Sequence, residues 1–155
     1  HLDSLFANGN SPDPDPRSAE KIVDFLINSG VNPNQIVIGS AFYGRVWKGV
    51  PPVNNGLYQL SGGLQIGWMA YHQIREKYES DSSFHRFWDE KAQAPFMYNF
   101  SDSLFVSYDD TVSVALKTKY TMEKGLGGIM FWELGNDTKE PGSLLDAIYE
   151  AANSN

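Results

Sequence analysis

The sequence contains no cysteine. That excludes a disulfide framework, cysteine-ligated zinc and a thiol nucleophile, although it does not fix the compartment. Histidine is nearly as scarce. His1, His72 and His85 lie far apart with no metal-ligand spacing, so no metal site is expected and they read as solvated or packed side chains. Positive charge is also short: 12 Lys and Arg stand against 19 Asp and Glu, for a net charge of -7. With no basic cluster to neutralise phosphates, nucleic acid is not an expected partner. No apolar run is long enough to span a bilayer, so no membrane is expected either. GLGG at 125–128 lacks the spacing of a dinucleotide or phosphate loop, and no serine-nucleophile motif occurs. No cofactor is expected. The chain opens on His1 with neither Met nor a basic-plus-apolar leader, and reads as a mature segment or an excised piece.

What the sequence does have is aromatic side chains: 4 Trp, 8 Tyr and 9 Phe in 155 residues. A chain of this length can bury about 70% of its unfolded surface in one core. Residues 1–16 read as loop. Ser18 is placed to cap a helix over SAEKIVDFLINS, with Ile22, Val23, Leu26 and Ile27 on its apolar face and Gly30 beyond its last turn. Ile36–Gly39 (IVIG) is β-branched and apolar on successive residues, the pattern of a strand buried on both faces in a parallel sheet. Residues 48–106 break this helix–strand rhythm. They read as a Gly- and Pro-rich loop, a short helix over WMAYHQIREKYE, and antiparallel strands over FHRFWDEKAQAPFMYN and LFVSYDD.

After the break a helix is predicted from about 111 to 124, with Val112, Leu116 and Tyr120 along one face and Gly125 as its stop. Residues 127–134 (GGIMFWEL) read as a second buried strand. Ser143 and Asp146 form a possible capping box for a last helix, whose Leu144, Leu145 and Ile148 face the core. Asp109 and Asp110 suit a helix cap near Thr111.

Ligands in parallel α/β architectures meet the C-terminal ends of the strands. The two predicted strands end in FYGRVW and MFWELGND. Both carry Trp, and both add polar reach: Tyr43 and Arg45 on one, Glu133 and Asp137 on the other. A sugar ring has apolar faces and a polar rim, which such a mixture suits. Packing under the central insertion explains the same residues, above all Phe42, Val46 and Trp47, and Glu133 could equally be a salt-bridge partner. A glycosidase working with paired carboxylates needs two acids flanking one bond, and no such pair can be assembled from these residues.

Taken together, GVNPNQIVIGSAFYGRVW, FHRFWDEKAQAPFMYN with FVSYDD, and KYTMEKGLGGIMFWELGNDT resemble the C-terminal part of a family 18 glycoside hydrolase, the chitinase family. The resemblance runs over nearly the whole chain. It implies an α/β fold: the last part of a (β/α)8 barrel carrying a small α+β insertion domain. Residues 1–47 would be a barrel segment ending in strand seven, 48–106 the insertion, and 107–155 helix seven, strand eight and helix eight. It implies that Tyr43 and Arg45 line a sugar cleft and that Trp132, with Met130 beside it, floors the subsite of the cleaved sugar. Gln73 stands where the family often has a glutamate, and keeps hydrogen-bonding capacity without charge. Ala41 stands where a proline is common.

The same resemblance implies a secreted enzyme, with chitin or chitooligosaccharide as partner and retaining, substrate-assisted cleavage of β-1,4 bonds. The family's DxxDxDxE signature, which carries the general acid, does not occur in residues 1–155. No catalytic residue is therefore assigned. The missing N-terminal part of the barrel is the other expected partner, and this piece alone is expected to be inactive, with an open edge where strand six would pair. A non-catalytic, lectin-like relative and a peptidoglycan- or spore-associated relative are the alternatives.

Overall fold

A computed structural model describes residues 1–154. Helix α1 spans Ala19–Asn28. Its Ser18 cap accepts a hydrogen bond from the Lys21 backbone N–H, and Gly30 follows at φ 91°. Strand β1 (Val37–Ala41) leads through Phe42 into β2 (Tyr43–Lys48), β3 covers Gly63–Ala70, and α2 is a single turn, Tyr71–Ile74, that continues as a π-helical turn over Arg75–Glu79. Strands β4 (Phe84–Asp89), β5 (Ala94–Asn99) and β6 (Leu104–Tyr108) follow, then helix α3 (Thr111–Glu123), strand β7 (Gly128–Trp132) and helix α4 (Leu144–Asn153).

Two sheets result. β1 and β7 pair in parallel, Val37 against Gly128 through Ala41 against Trp132. The other five strands form an antiparallel sheet in the order β3-β2-β6-β5-β4. FYGRVW is thus not the frayed end of the parallel strand. Tyr43–Lys48 is a strand of its own in the antiparallel sheet, flanked by β3 and β6. Pairing partners some 20 and 60 residues away in sequence decided this, and local pattern does not show them.

One face of the antiparallel sheet packs on the helices. Phe42, Val46, Met69, Ile74, Met97, Val106, Tyr108, Val114, Leu144 and Ile148 form its core. The glycine of Tyr-Gly-Arg is required by this packing. A Cβ on Gly44 would lie 2.6 Å from the Ile74 side chain and 2.7 Å from the Ser107 carbonyl oxygen, closer than carbon can approach either. The opposite face carries Trp47, which packs on Phe105, and a second cluster around Phe96 and Tyr98.

Three expectations about individual segments are corrected. Trp68 and Met69 belong to β3 rather than to a helix, because they pair with β2; the helix starts only at Tyr71. On α3 the buried side is Ser113, Val114, Lys117, Thr118, Tyr120 and Thr121, while Val112 is half-exposed. The hydroxyls of Thr118 and Thr121 are satisfied by carbonyls one turn back in the same helix, which lets a polar face lie inward. Neither parallel strand is buried on both faces. Val37, Met130 and Trp132 are open to solvent.

The inward face of α3 holds a buried ion cluster that the sequence reading missed. Lys117 is fully buried, and its Nζ lies 2.7 Å from both Asp109 Oδ2 and Asp3 Oδ2. Asp109 also accepts the Ser113 hydroxyl at 2.7 Å and the Ala41 backbone N–H at 3.2 Å. One ammonium thereby ties the N-terminal segment, the end of β1 and helix α3 together. Burial pushes the Asp109 carboxyl up to about 6 against the downward pull of Lys117. Its neighbour Asp110 does cap α3, accepting from Ser113 N–H at 2.8 Å and pairing with Arg86. Asp89, at the β4–β5 turn, is a second tether. It accepts both bonds of the Asn8 amide and lies within hydrogen-bond distance of His1 and Tyr58.

Candidate functional site

The two strand ends singled out in the sequence do meet. Ala41 pairs with Trp132 across the parallel sheet, and the Phe42 N–H donates to the Trp132 carbonyl at 3.0 Å. Alternation then sorts the side chains. Phe42 and Phe131 turn towards the helices and stack on each other at 4.7 Å. Val37, Gly39 and Ala41 turn the other way, opposite Gly128, Met130 and Trp132. Because β1 contributes only small side chains there, Met130 and Trp132 stand proud of that face. Met130 is 50% exposed and Trp132 60%. The Trp132–Glu133 peptide is cis.

Tyr43, Met130 and Trp132 line one cavity of about 600 Å³. Its lining is mixed, with His1, Asp3, Ser4, Arg17 and Ser18 contributing polar groups. Ile22, Val23, Leu26, Ile36 and Val37 make an apolar trough along the free edge of β1. Such a trough suits another strand better than the hydroxyl rim of a sugar. The end at Tyr43, Met130 and Trp132 combines flat apolar surface with a polar tip. Arg45 is exposed on the same strand as Tyr43, two residues on, but does not line the cavity.

Gln73 is exposed outside the cavity as well. Its Oε1 accepts the Ala70 N–H at 3.3 Å, closing the first turn of α2, while its amide nitrogen and a second lone pair on the oxygen stay open to a ligand. Asp137, which the sequence placed among the polar residues of the strand end, is committed elsewhere. Its carboxylate accepts the Ser143 hydroxyl and the Leu144 and Leu145 N–H groups, each at 2.9 Å, and so holds the start of α4. Glu133 makes no ion pair among the described residues. Among the described residues, no cluster of His, Cys, Asp or Glu is able to hold a metal and no helix is long and apolar enough to cross a membrane.

One aromatic of this region escaped the sequence reading. Trp68, on the edge strand β3, lies diagonal to Tyr43, which pairs with Ala70. The two rings stack with centroids 6.3 Å apart and planes 30° from parallel. The signal that could have revealed it is the short apolar alternation before Tyr71, which the helix assignment absorbed.

A residue-by-residue comparison with known families decides the identity of this architecture. The profile described as "Glycosyl hydrolases family 18" matches residues 3–137. The chain belongs to glycoside hydrolase family 18. Chitinase A1 of Niallia circulans is 41% identical over 117 residues, covering 72% of this chain and 17% of that enzyme. The solved structure of a family 18 N-acetylglucosaminidase from Paenibacillus barengoltzii superposes with a TM-score of 0.86 at 38% identity, over 97% of this chain and 43% of its own. That of chitinase ChiW from Paenibacillus sp. str. FPU-7 superposes with a TM-score of 0.91 at 34% identity, over 99% and 14%. This chain spans less than a third of the length of the curated relatives it matches first. Within family 18, the α/β arrangement seen here is a partial, unclosed barrel-like fold: two parallel strands and four helices beside an antiparallel sheet.

Proposed function

We propose that this chain is the C-terminal portion of a (β/α)8 barrel whose intact protein cleaves β-1,4-linked N-acetylglucosamine polymers, and that it supplies the walls of the sugar cleft. The observation that carries the proposal is the exposed Trp132 at the end of a parallel strand, sharing one cavity mouth with Tyr43 and Met130. A large, flat, solvent-open indole at the C-terminal end of a strand is costly to leave uncovered and well suited to the apolar face of a pyranose. In this reading β1 is strand seven and β7 strand eight. The apolar trough beside β1 receives strand six, a segment outside residues 1–155. The antiparallel sheet is the insertion domain, mainly residues 48–106, with β2 as its first strand.

That relatives of this chain are a chitinase and an N-acetylglucosaminidase supports an N-acetylglucosamine-containing substrate. The family cleaves through the substrate's own acetamido group rather than a protein nucleophile. The protein then has to hold the reacting sugar over a floor, present an acid to the glycosidic oxygen and keep water ordered. Trp132 and Met130 make the floor, and Tyr43 and Arg45 bond the polar rim. Gln73 adds an amide donor at the margin. The acid comes from outside these residues, since the signature that carries it is absent from 1–155. A protein of this kind, acting on a polymer too large to enter cells, works in the secreted state.

The uncharged Gln73 and the lack of an acid in this wall also fit a lectin-like relative that binds without cleaving. Sugar release from chitotetraose separates the two. The intact protein is expected to release shorter oligosaccharides, and residues 1–155 alone to release none. Tight binding by the intact protein without any release would establish the lectin reading. Release by the isolated chain would refute the assignment of the acid to another segment.

A further inference from the structure

We infer that Trp68 is a second sugar-stacking ring, which extends the cleft wall beyond Trp132 and makes binding sensitive to the length of the oligosaccharide. The inference rests on the sugar-cleft reading above. Of the four tryptophans, Trp47 packs on Phe105 within a core cluster, whereas Trp68 and Trp132 are 48% and 60% exposed. Those two exposed indoles flank one residue. Tyr43 shares the cavity mouth with Trp132 and stacks against Trp68. Trp132 on the parallel sheet and Trp68 on the antiparallel one are thus linked through Tyr43.

Several features of the strand pair hold Trp68 in place. β3 is an edge strand, and among the described residues Trp68 is 48% exposed. Met69 and Ala70, the next two residues, are buried and pin the end of β3, while Tyr71 begins the helix that packs beneath. Across the strand pair the ring lies diagonal to Tyr43, a spacing within reach of aromatic side chains on one face. Tyr43 limits the rotamers open to the indole, so less conformational entropy is lost when a ligand stacks on it. Exposed Leu64, further along the same strand, continues the apolar surface outward. No partner among the described residues accounts for this run of exposed apolar side chains. A linear polymer of pyranose rings, each offering a CH-rich face, matches it.

The test is steady-state kinetics of the intact protein on chitotriose and chitohexaose, with Trp68→Ala, Trp68→Phe and Trp132→Ala compared with wild type. For Trp68→Ala the KM for chitohexaose is expected to rise about tenfold, the scale of one lost stacking ring, with a much smaller change for chitotriose. Trp68→Phe, which keeps a ring, is expected to recover most of the difference; this pattern is not produced by a purely structural role. Equal KM values for Trp68→Ala and wild type on chitohexaose, with Trp132→Ala impaired, would overturn the role of Trp68 and leave the cleft reading standing. A proportional loss on both substrates that phenylalanine does not rescue would also overturn it. Failure of Trp132→Ala to affect either substrate would remove the cleft reading and this inference with it.

Discussion

Replacing Lys117 with alanine is expected to destabilise the fold by about 3–5 kcal/mol, the range for breaking a buried ion pair from one side. The reason is what stays behind. Asp109 is fully buried and Asp3 partly so, and both oxygens that now face Nζ at 2.7 Å would face each other with no cation between them. Since a domain of this kind has about 5–15 kcal/mol of stability in all, the variant should show a sharply lowered urea midpoint. Removing the charge from both sides is expected to be far milder. Lys117→Met combined with Asp109→Asn leaves only Asp3, which reaches solvent, so the double variant should recover much of the loss. If the double variant loses the sum of the two single effects, the cluster is not acting as an ion pair.

The same cluster sets a pH dependence with a definite sign. The Asp109 carboxyl is raised from 3.8 to about 6 in the folded chain, so the folded state holds that proton more tightly than the unfolded state. Its contribution is fully present below pH 4 and is lost as pH rises through about 6. Relative to Asp109→Asn, wild type should therefore lose stability as pH rises from 4 to 7. Denaturant unfolding of the two proteins at these pH values checks it, and parallel pH profiles would contradict it.

The second large effect concerns Trp132. Trp132→Ala in the intact protein is expected to lower kcat/KM on chitooligosaccharides by on the order of a hundredfold, the cost of letting a reacting group shift by about an ångström. Stability should change little, because the indole is 60% exposed and its strand is held by backbone pairing with β1. Measuring kcat/KM together with thermal unfolding distinguishes a lost floor from a lost fold. Unchanged kinetics would take Trp132 out of the site.

Much of this architecture is written locally. Ser18, Asp110, Ser143 and Gly125 mark helix ends that the structure reproduces, because a cap is a short-range hydrogen bond or a positive φ visible in a few residues. The alternation of FHRFWD, APFMYN and LFVSY likewise shows strands that pair as expected. What local pattern does not show is partnership at a distance. Tyr43–Lys48 became its own strand because β3 and β6 bracket it, and Trp68 left its predicted helix for the same reason. The burial of Lys117 depends on Asp3 and Asp109, which come from two other segments. Gln73 and Asp137 look like free polar groups in sequence, and the structure shows both bonded to backbone N–H groups at helix starts. At the site, Tyr43, Met130 and Trp132 are brought together by the register of β1 against β7, which hydrophobic runs suggest but do not fix.

The most direct test of the assignment is the anomer first released from chitotetraose by the intact protein, followed by proton NMR before mutarotation. Cleavage through the substrate's acetamido group inverts the reacting carbon twice, so the expected initial product is the β-anomer. An initial α-anomer would contradict the account: it would require a protein carboxylate activating water on the opposite face of the sugar, and the wall of Tyr43, Met130 and Trp132 would then be serving different chemistry.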